Sequence, residues 1–273
     1  MSHPVVVTGA SGFVGQALLN CLQREGVPVT GVTRRLQHGL TSVADYADMP
    51  ISEGAVLVHL AQARDVSGSF DDGDIELCRA LSKRPWRHIL YASSMIVYGD
   101  EKDYPRQPDE LISATSDYTR VKLECEKIVT NLGGTCLRFS NLYGVGMGSN
   151  TVISDILRQI PGDGSLRLRD ITPVRDFLWI EDAARCLALA CQIMPGGILN
   201  AGSGSGIAVG DVARLALNLA RESLRPVVGC GRAGRVSSIK LDIVKTQSVL
   251  HWSPKVDLHA GLSALLGMRV NDE

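Results

Sequence analysis

The sequence predicts an α/β fold, in which a doubly wound parallel sheet is covered by helices on both faces. Two observations support this prediction. Short runs rich in Val, Ile and Leu recur at residues 4–8, 27–33, 55–61 and 87–94, without the regular polar alternation of a strand that has one wet face. Stretches with helical spacing of apolar residues separate these runs, as expected for a parallel sheet buried on both faces.

The predicted elements follow one another along the chain. Directly after the first strand, Phe13, Leu18 and Leu22 recur at helical spacing and predict the first helix. Further along, residues 118–131 predict a helix and residues 134–144 a single strand. After that strand the pattern is weaker and favours three more helices, at 151–160, 175–190 and 209–222.

Composition excludes several classes of protein. The chain has 273 residues, of which 45% are hydrophobic, so it can form a large core. A formal net charge of −1 argues against a broad nucleic-acid or anionic-membrane surface, and no apolar run reaches the ~18 residues of a membrane span. The seven cysteines are scattered without a Cys-x-x-Cys pair, so we expect free thiols in a cytoplasmic protein, with neither disulfides nor a metal site.

Three glycines, Gly9, Gly12 and Gly15, lie between the first predicted strand and the first predicted helix. A turn of this composition lets backbone N–H groups approach a pyrophosphate at the positive end of the helix dipole. An ordinary glycine-rich turn is the alternative, but the strand–turn–helix context favours a Rossmann-type dinucleotide site. A second motif with G-x-G-x-x-G spacing, at 229–234, precedes no amphipathic helix and is interpreted as a loop.

The end of the second predicted strand bears on which dinucleotide binds. In Rossmann-type sites an acidic side chain at this point binds the adenosine ribose of NAD. This sequence has Arg34 and Arg35 instead, and two guanidinium groups can bind the 2′-phosphate of NADP. Solvated surface arginines are the alternative interpretation. The sequence therefore favours NADP, and NAD remains the alternative cofactor.

Tyr118 and Lys122 lie four residues apart on a predicted helix, so both side chains project from one face. A cation near a phenol lowers its pKa from about 10, which suits a tyrosine for proton transfer at neutral pH. Ser94 ends a predicted strand at the sheet edge where a nicotinamide would lie, and its hydroxyl can hydrogen-bond a reacting oxygen. These three residues are the predicted catalytic group.

Eight sequence blocks spread over nearly the whole chain extend this pattern. They are TGASGFVG (8–15), LVHLA (57–61), YASSMIVYG (91–99), YTRVK (118–122), LRFSNLYG (137–144), RDFLWIEDAA (175–184), NAGSG (200–204) and DIVKTQSVLHWSP (242–254). In content and order they resemble the NAD-dependent epimerase/dehydratase family of extended short-chain dehydrogenases/reductases. That family acts largely on nucleotide sugars.

The resemblance implies a role for each matching residue. Tyr118 would exchange a proton, Ser94 would contact the reacting oxygen, and Lys122 would hold the nicotinamide ribose. The family's other cofactor-contacting positions correspond here to Gly9, Ser11, Gly12, Phe13, Val14, Gly15, Leu60, Ala61 and Phe139. Its positions for the substrate's nucleotide phosphates correspond to Asn141, Asn150, Arg175 and Arg232. It also implies a homodimer formed through helices near 75–83 and 118–131.

Met95 and Ile96 depart from one branch of this family. The 4,6-dehydratases have an Asp–Glu pair there that eliminates water, and neither side chain of the present pair can transfer a proton. A dehydratase is therefore disfavoured. Asp74 stands where many members have an asparagine below the active site. The segment 62–75 is short, which predicts a small substrate pocket.

Taken together, these features predict a Rossmann domain from residues 1–145 and 178–205 and a substrate domain from 146–177 and 206–273. The expected activity is hydride transfer between NADP(H) and a keto or carbinol carbon of a nucleotide sugar, as a net 4-keto reductase. An epimerase that retains its cofactor and a non-catalytic NADP-sensing protein are the alternatives. The joint presence of the three predicted catalytic residues favours an enzyme.

Overall fold

The structure is a computed structural model that describes residues 3–62, 72–231 and 236–270. The strands in these residues are β1 (Val5–Thr8), β2 (Val29–Thr33), β3 (Thr41–Ser42), β4 (Val56–His59), β5 (His88–Ser94), β6 (Thr135–Phe139), β7 (Asn141–Tyr143), β8 (Leu166–Leu168), β9 (Val174–Arg175), β10 (Phe177–Trp179), β11 (Gly197–Ala201), β12 (Ile207–Ala208), β13 (Val227–Gly229) and β14 (Ser238–Ile239).

Helices alternate with these strands. The α-helices are α1 (Phe13–Arg24), α2 (Gly73–Ser82), α3 (Asp117–Asn131), α4 (Val152–Arg158), α5 (Ile180–Ile193), α6 (Val209–Leu219), α7 (Val244–Leu250) and α8 (Leu258–Val270). Two short 3₁₀ helices cover Tyr46–Asp48 and Met95–Tyr98. No helix in the described part of the chain has both the length and the apolar composition needed to span a membrane.

A seven-stranded sheet, parallel throughout, has the order β11-β6-β5-β4-β1-β2-β3. The chain builds outward from β1 to β3, then crosses to the other side of β1 and continues from β4 to β11. The predicted doubly wound α/β fold is thereby confirmed. In such sheets ligands bind outside the carboxyl ends of the strands, at the point where the strand order reverses. That point lies here between β1 and β4.

Alternating side chains of each strand fill two cores on opposite faces of the sheet. In β1, Val5 and Val7 pack in the core that includes α1 and α5, whereas Val6 packs in the core that includes α2 and α3. Both cores need apolar residues at successive positions, because each strand is covered on both sides. This requirement explains the continuous apolar runs of the sequence.

A third core lies outside the main sheet. Its buried residues come from 143–179 and 209–265, and it includes residues of α4, α6 and α8. Three small sheets accompany it: β7 with β10, β9 between β12 and β14, and β8 with β13. The division of the chain into two domains at the boundaries given above stays a prediction.

One predicted element is wrong in detail, and a second differs in its bounds. Residues 134–144 form two strands, β6 and β7, because the chain leaves the main sheet after Ser140: its N–H still bonds to Ala201 of β11, whereas the N–H of Asn141 bonds to the carbonyl of Asp176, each at 3.0 Å. The helix predicted within residues 175–190 begins at Ile180 and extends to Ile193. The residues before it are extended, and between them the buried carboxylate of Asp176 accepts backbone hydrogen bonds from the loop after β11.

Candidate active site

The turn between β1 and α1 is packed so closely that its glycine positions have no room for a side chain. Gly9 has a φ of +67°, and a Cβ there would lie 2.8 Å from the backbone nitrogen of Ala61. A Cβ on Gly15 would lie 2.5 Å from the carbonyl oxygen of Gly9. Gly12 caps α1 without a side-chain cap bond, so no side chain covers the first turn of the helix, where N–H groups lack intrahelical acceptors. We call the turn formed around Gly9, Gly12 and Gly15 the glycine cradle. Its close packing and uncapped N–H groups suit an anionic ligand.

The end of β4 lies beneath this cradle. Thr8 Oγ1 accepts hydrogen bonds from the backbone N–H groups of Leu60 and Ala61, and each of these bonds is 3.2 Å long. The same oxygen lies 2.8 Å from Nδ1 of the buried His59. The backbone that follows β4 is thus held against Gly9, at the carboxyl edge of the sheet.

The end of β2 lies beside the glycine turn. Ser11 and Thr33 bring their hydroxyl oxygens within 3.0 Å of each other. Arg34 and Arg35 are exposed directly after this strand, and the Arg34 guanidinium lies 5.6 Å from the ring centre of Tyr46. The two arginines are therefore beside the glycine turn, available to a ligand that extends across β2.

The three predicted catalytic residues come together at the carboxyl end of β5. Ser94 ends this strand, and its hydroxyl caps the following 3₁₀ helix by accepting a bond from the N–H of Ile96 over 3.3 Å. A hydrogen bond joins the side chains of Ser94 and Tyr118. Lys122, one turn further along α3, donates from Nζ to the carbonyl of Ala92 over 2.7 Å. The trio therefore links α3 to the end of β5.

Burial dominates the electrostatics of this trio. It raises the pKa of Tyr118 above its usual 10, while the hydrogen bond from Ser94 acts in the opposite direction. Burial also lowers the pKa of Lys122 to about 8. The expectation that Lys122 lowers the pKa of Tyr118 is wrong for this arrangement. The ammonium lies 5.8 Å from the phenol ring centre and donates a hydrogen bond to the β5 backbone.

A cavity of about 380 Å³ contains three of the predicted substrate residues, Asn141, Asn150 and Arg175. Arg175 is 23% exposed and donates to the hydroxyl of Ser237 over 2.7 Å. The fourth predicted substrate residue, Arg232, lies outside the described residues. The motif at 229–234 is interpreted as a loop, but its first residue ends β13, and its last three residues are likewise undescribed.

Phe139, Met95 and Ile96 lie next to Ser94, in the neighbouring strand and in the following 3₁₀ helix. Phe139 ends β6 beside Ser94, where their Cα atoms are partners in the sheet, and its side chain is buried in the core. Met95 is 1% exposed and Ile96 is 40% exposed. The 3₁₀ helix thus presents no proton-transferring group at these two positions.

Sequence reasoning did not single out Asp176 as a structural residue of the site. Its carboxylate is buried and accepts hydrogen bonds from the N–H groups of Ser203, Gly204 and Leu241. Burial raises the pKa of Asp176, and these hydrogen bonds oppose that shift. The acid therefore ties the segment bearing Arg175 to two other loops. An acid directly before the apolar run FLWI (177–180) was the available signal.

The sequence family follows from comparison with known proteins. The model of the NAD dependent epimerase/dehydratase family matches residues 5–202. The chain belongs to this family. The predicted resemblance is confirmed, and with it the assignment to a family of NAD-dependent enzymes.

Similar proteins include epimerases of nucleotide sugars. A UDP-glucose 4-epimerase of Lactobacillus helveticus is 25% identical over 67% of this chain, and the match spans 64% of that protein's length. A UDP-glucose 4-epimerase of Mycolicibacterium smegmatis is 24% identical over 94% of this chain and 96% of its own. The crystal structure of UDP-N-acetylglucosamine 4-epimerase from Bacillus cereus has a TM-score of 0.84 and 27% identity, and covers 98% of this chain and 100% of that one.

Proposed function

We propose that this protein is a nicotinamide-dinucleotide-dependent 4-epimerase of nucleotide sugars. The observation that carries the proposal is the catalytic trio: Ser94 and Tyr118 share a hydrogen bond, and Lys122 is held by the β5 backbone next to them. This group lies at the same sheet edge as the glycine cradle. The names of the similar proteins support C4 of a UDP-sugar as the reacting carbon.

The residues present fit a nicotinamide dinucleotide. The space at Gly9 and Gly15 admits backbone but no Cβ, and the first turn of α1 is free of a side-chain cap, as a pyrophosphate site requires. We expect Ser11, Gly12, Phe13 and Val14 to surround the pyrophosphate. Leu60, Ala61, Phe139 and Lys122 would line the nicotinamide half. When bound, the nicotinamide accepts a hydride and gives it back.

The protein's own residues would then move the proton. In its phenolate form Tyr118 would take the proton of the C4 hydroxyl as the carbinol is oxidised, and the resulting phenol would return that proton when the ketone is reduced from the other face. Ser94 would donate a hydrogen bond to the same oxygen. Met95 and Ile96 provide no acid or base for elimination of water, which supports epimerisation over dehydration.

The cavity lined by Asn141, Asn150 and Arg175 supports a nucleotide sugar as substrate. Asn141 and Asn150 supply amide groups and Arg175 a guanidinium, the combination that binds a diphosphate by charge-assisted and neutral hydrogen bonds. Pairing with Asp100, whose carboxylate lies 3.6 Å away, orients the guanidinium of Arg175 before a ligand arrives.

Net reduction of a 4-keto nucleotide sugar by NADPH is a second candidate. Two observations favour it. Arg34 and Arg35 stand where an NAD-selective site has an acid, and burial keeps Tyr118 protonated, which is the form that donates a proton to a ketone. A reductase releases its oxidised cofactor in every cycle, whereas an epimerase keeps it.

One experiment separates these functions. The purified protein is analysed for bound cofactor, then incubated with UDP-glucose or UDP-N-acetylglucosamine with added NAD, and the C4 epimer is followed by NMR. Epimer formation that is lost in Tyr118→Phe supports the proposal. Stoichiometric oxidation of NADPH with a 4-keto nucleotide sugar, without epimer, supports the reductase. Cofactor binding with neither reaction would leave the non-catalytic sensor as the better account.

We also propose that the protein is a homodimer formed through α2 and α3. These helices pack against each other on one face of the sheet, and α3 bears the catalytic tyrosine and lysine. Sedimentation at micromolar concentration tests this proposal, and a monomer there would contradict it.

A further inference from the structure

A buried polar cluster lies behind the catalytic trio and has no part in the roles assigned so far. Arg138 on β6 binds both carboxylate oxygens of Glu126 on α3, with Nε to Oε1 at 2.9 Å and Nη2 to Oε2 at 2.7 Å. Ser93 on β5 donates a hydrogen bond to the same carboxylate. The Arg138 and Glu126 side chains are each 3% exposed. Three elements thus meet at one carboxylate.

This cluster lies next to the trio on both of the elements that carry it, α3 and β5. Glu126 lies one helical turn after Lys122 and two turns after Tyr118, so the three side chains share a face of α3. Ser93 is the residue before Ser94, and its partner in the sheet register is Arg138. Movement of Glu126 would therefore shift the helix that bears Tyr118 and Lys122 relative to the strand that bears Ser94.

A buried ion pair is not retained for stability alone. Removing two charges from water costs free energy that their attraction only partly offsets, and apolar residues of similar volume often stabilise a fold equally well. A bidentate guanidinium–carboxylate contact also fixes the relative position of its two side chains. In the present fold that geometry is the spacing between α3, β5 and β6.

We propose that Glu126, fixed by Arg138 and Ser93, is a positioning residue for proton transfer, which holds Tyr118 and Lys122 against Ser94 and places its carboxylate one turn from the lysine ammonium. The inference rests on the hydride-transfer function proposed above. It goes beyond that function because Glu126 contacts neither the reacting atoms nor the cofactor.

The charged and titratable groups around Lys122 come from every neighbouring element. They are Asp74 on α2, His59 on β4, Tyr91 on β5, Cys136 on β6, and Tyr118, Cys125 and Glu126 on α3 itself. Beyond them, Arg138 on β6 binds Glu126 and packs on the ring of Tyr98. The carboxylate of Glu126 acts to raise the pKa of Lys122 against the larger effect of burial. Loss of that carboxylate would leave the guanidinium of Arg138 uncompensated nearby.

The fold offers a matched control. The ring of Tyr98 packs between two guanidinium groups, with Arg138 at 4.7 Å and Arg106 at 5.0 Å from its centre. Arg106 is paired with Glu110 over 2.6 Å and is also buried. The Arg106–Glu110 pair is thus similar in chemistry, although Glu110 is 17% exposed, and its carboxylate lies outside α3.

The test measures the protonation of Lys122 directly. Lysine labelled with ¹³C at Cε is introduced into the full chain. The Lys122 signal is assigned as the one that is absent from the spectrum of Lys122→Arg. The pH titration of this signal is then recorded in wild type, Glu126→Gln and Glu110→Gln. We expect a midpoint near pH 8 in wild type, a midpoint lower by about one unit in Glu126→Gln, and an unchanged midpoint in Glu110→Gln. A general loss of packing would affect both variants alike.

Single-turnover hydride transfer provides the second measurement. We expect a fall of about tenfold or more in Glu126→Gln, partial recovery in Glu126→Asp, and a wild-type rate in Glu110→Gln. If Glu126→Gln does not fold, Ser93→Ala keeps the ion pair and is expected to lower kcat while KM stays unchanged; an unchanged kcat there overturns the inference.

The two proposals fail in different ways. Equal titration midpoints in wild type and Glu126→Gln, or equal shifts in both glutamine variants, would overturn the positioning role even in an active enzyme. Absence of hydride transfer in wild type would instead overturn the proposed function, and the titration of Lys122 would still decide whether Glu126 acts on it.

Discussion

Thr8 and His59 are joined by a hydrogen bond of 2.8 Å between Thr8 Oγ1 and His59 Nδ1, directly below the glycine cradle. The threonine hydroxyl already accepts two backbone N–H groups, so its own proton is left to donate to the ring nitrogen. His59 is fully buried, and this burial lowers its pKa to about 3. The ring is therefore neutral, with Nδ1 as an acceptor.

Stability should depend on pH through His59. Its folded pKa lies below the unfolded value of 6.5, so only the unfolded chain takes up the proton as the pH falls from 6.5 toward 3. The stabilisation is complete above pH 6.5 and is lost on acidification, by up to about 1.4 kcal/mol per pH unit. Urea unfolding of wild type and His59→Asn between pH 7 and 5 measures this slope, which should be shallower in the variant. The same replacement at the exposed His38 is the control.

Replacing Tyr118 should separate chemistry from binding. Tyr118→Phe removes the transferable proton and keeps the ring, so turnover should fall by ~10²–10⁴ while the cofactor dissociation constant stays nearly unchanged. Ser94→Ala should lower turnover through the lost hydrogen bond to the reacting oxygen. Tyr104→Phe, on a half-exposed ring outside the trio, is the control. Wild-type turnover in Tyr118→Phe would contradict the catalytic assignment.

Arg34 should decide between the two dinucleotides. Arg34→Ala should weaken NADPH binding on the order of tenfold, because a charge-assisted hydrogen bond to the 2′-phosphate is lost, and should leave NADH binding unchanged. Arg35→Ala should have a smaller effect. Fluorescence titration with both reduced cofactors measures the ratio. Equal affinities of wild type for NADPH and NADH would show that the arginines do not select the cofactor.

Arg175 should act on the substrate and leave the cofactor site unaffected. Arg175→Ala and Arg175→Lys should both raise KM for the nucleotide sugar by about tenfold or more, since a lysine does not reproduce the planar pair of donors. The control is Arg214→Ala, which breaks an exposed ion pair with Asp211 on α6. Steady-state kinetics at saturating cofactor give the comparison, and an unchanged KM would exclude Arg175 from the phosphate site.

Gly9→Ala should lower stability by more than the strain of a positive φ accounts for, because its Cβ would also collide with neighbouring backbone. Gly9 and Gly26 have almost the same φ, +67° and +69°, so alanine is strained at both. A Cβ on Gly9 would meet the backbone of Ala61, whereas a Cβ on Gly26 would have no atom within 4 Å. Gly26→Ala should therefore cost about 1–2 kcal/mol of stability, and Gly9→Ala more, with loss of cofactor binding. Thermal unfolding and cofactor titration of both variants measure the difference.

Local patterns were sufficient for much of the fold and of the site. The apolar runs predict β1, β2, β4, β5 and the helices α1 and α3, because strands buried on both faces and helices buried on one face impose different spacings on neighbouring residues. The glycine turn and the Tyr118–Lys122 pair are equally local, since their partners lie within one turn or one element. Their common location follows from the rule that parallel strands end at one edge.

The remaining features depend on contacts between residues far apart in sequence. The strand predicted over 134–144 breaks after Ser140, because the N–H of Ser140 bonds to Ala201 of β11 whereas the N–H of Asn141 bonds to the carbonyl of Asp176, and no local pattern shows this change of partner. The protonation of Tyr118 follows from its burial and from the direction in which Lys122 points. The pairing of Glu126 with Arg138 likewise exists only where α3 packs against β5 and β6. Burial and long-range hydrogen bonding set these properties, and both arise only when distant segments pack together.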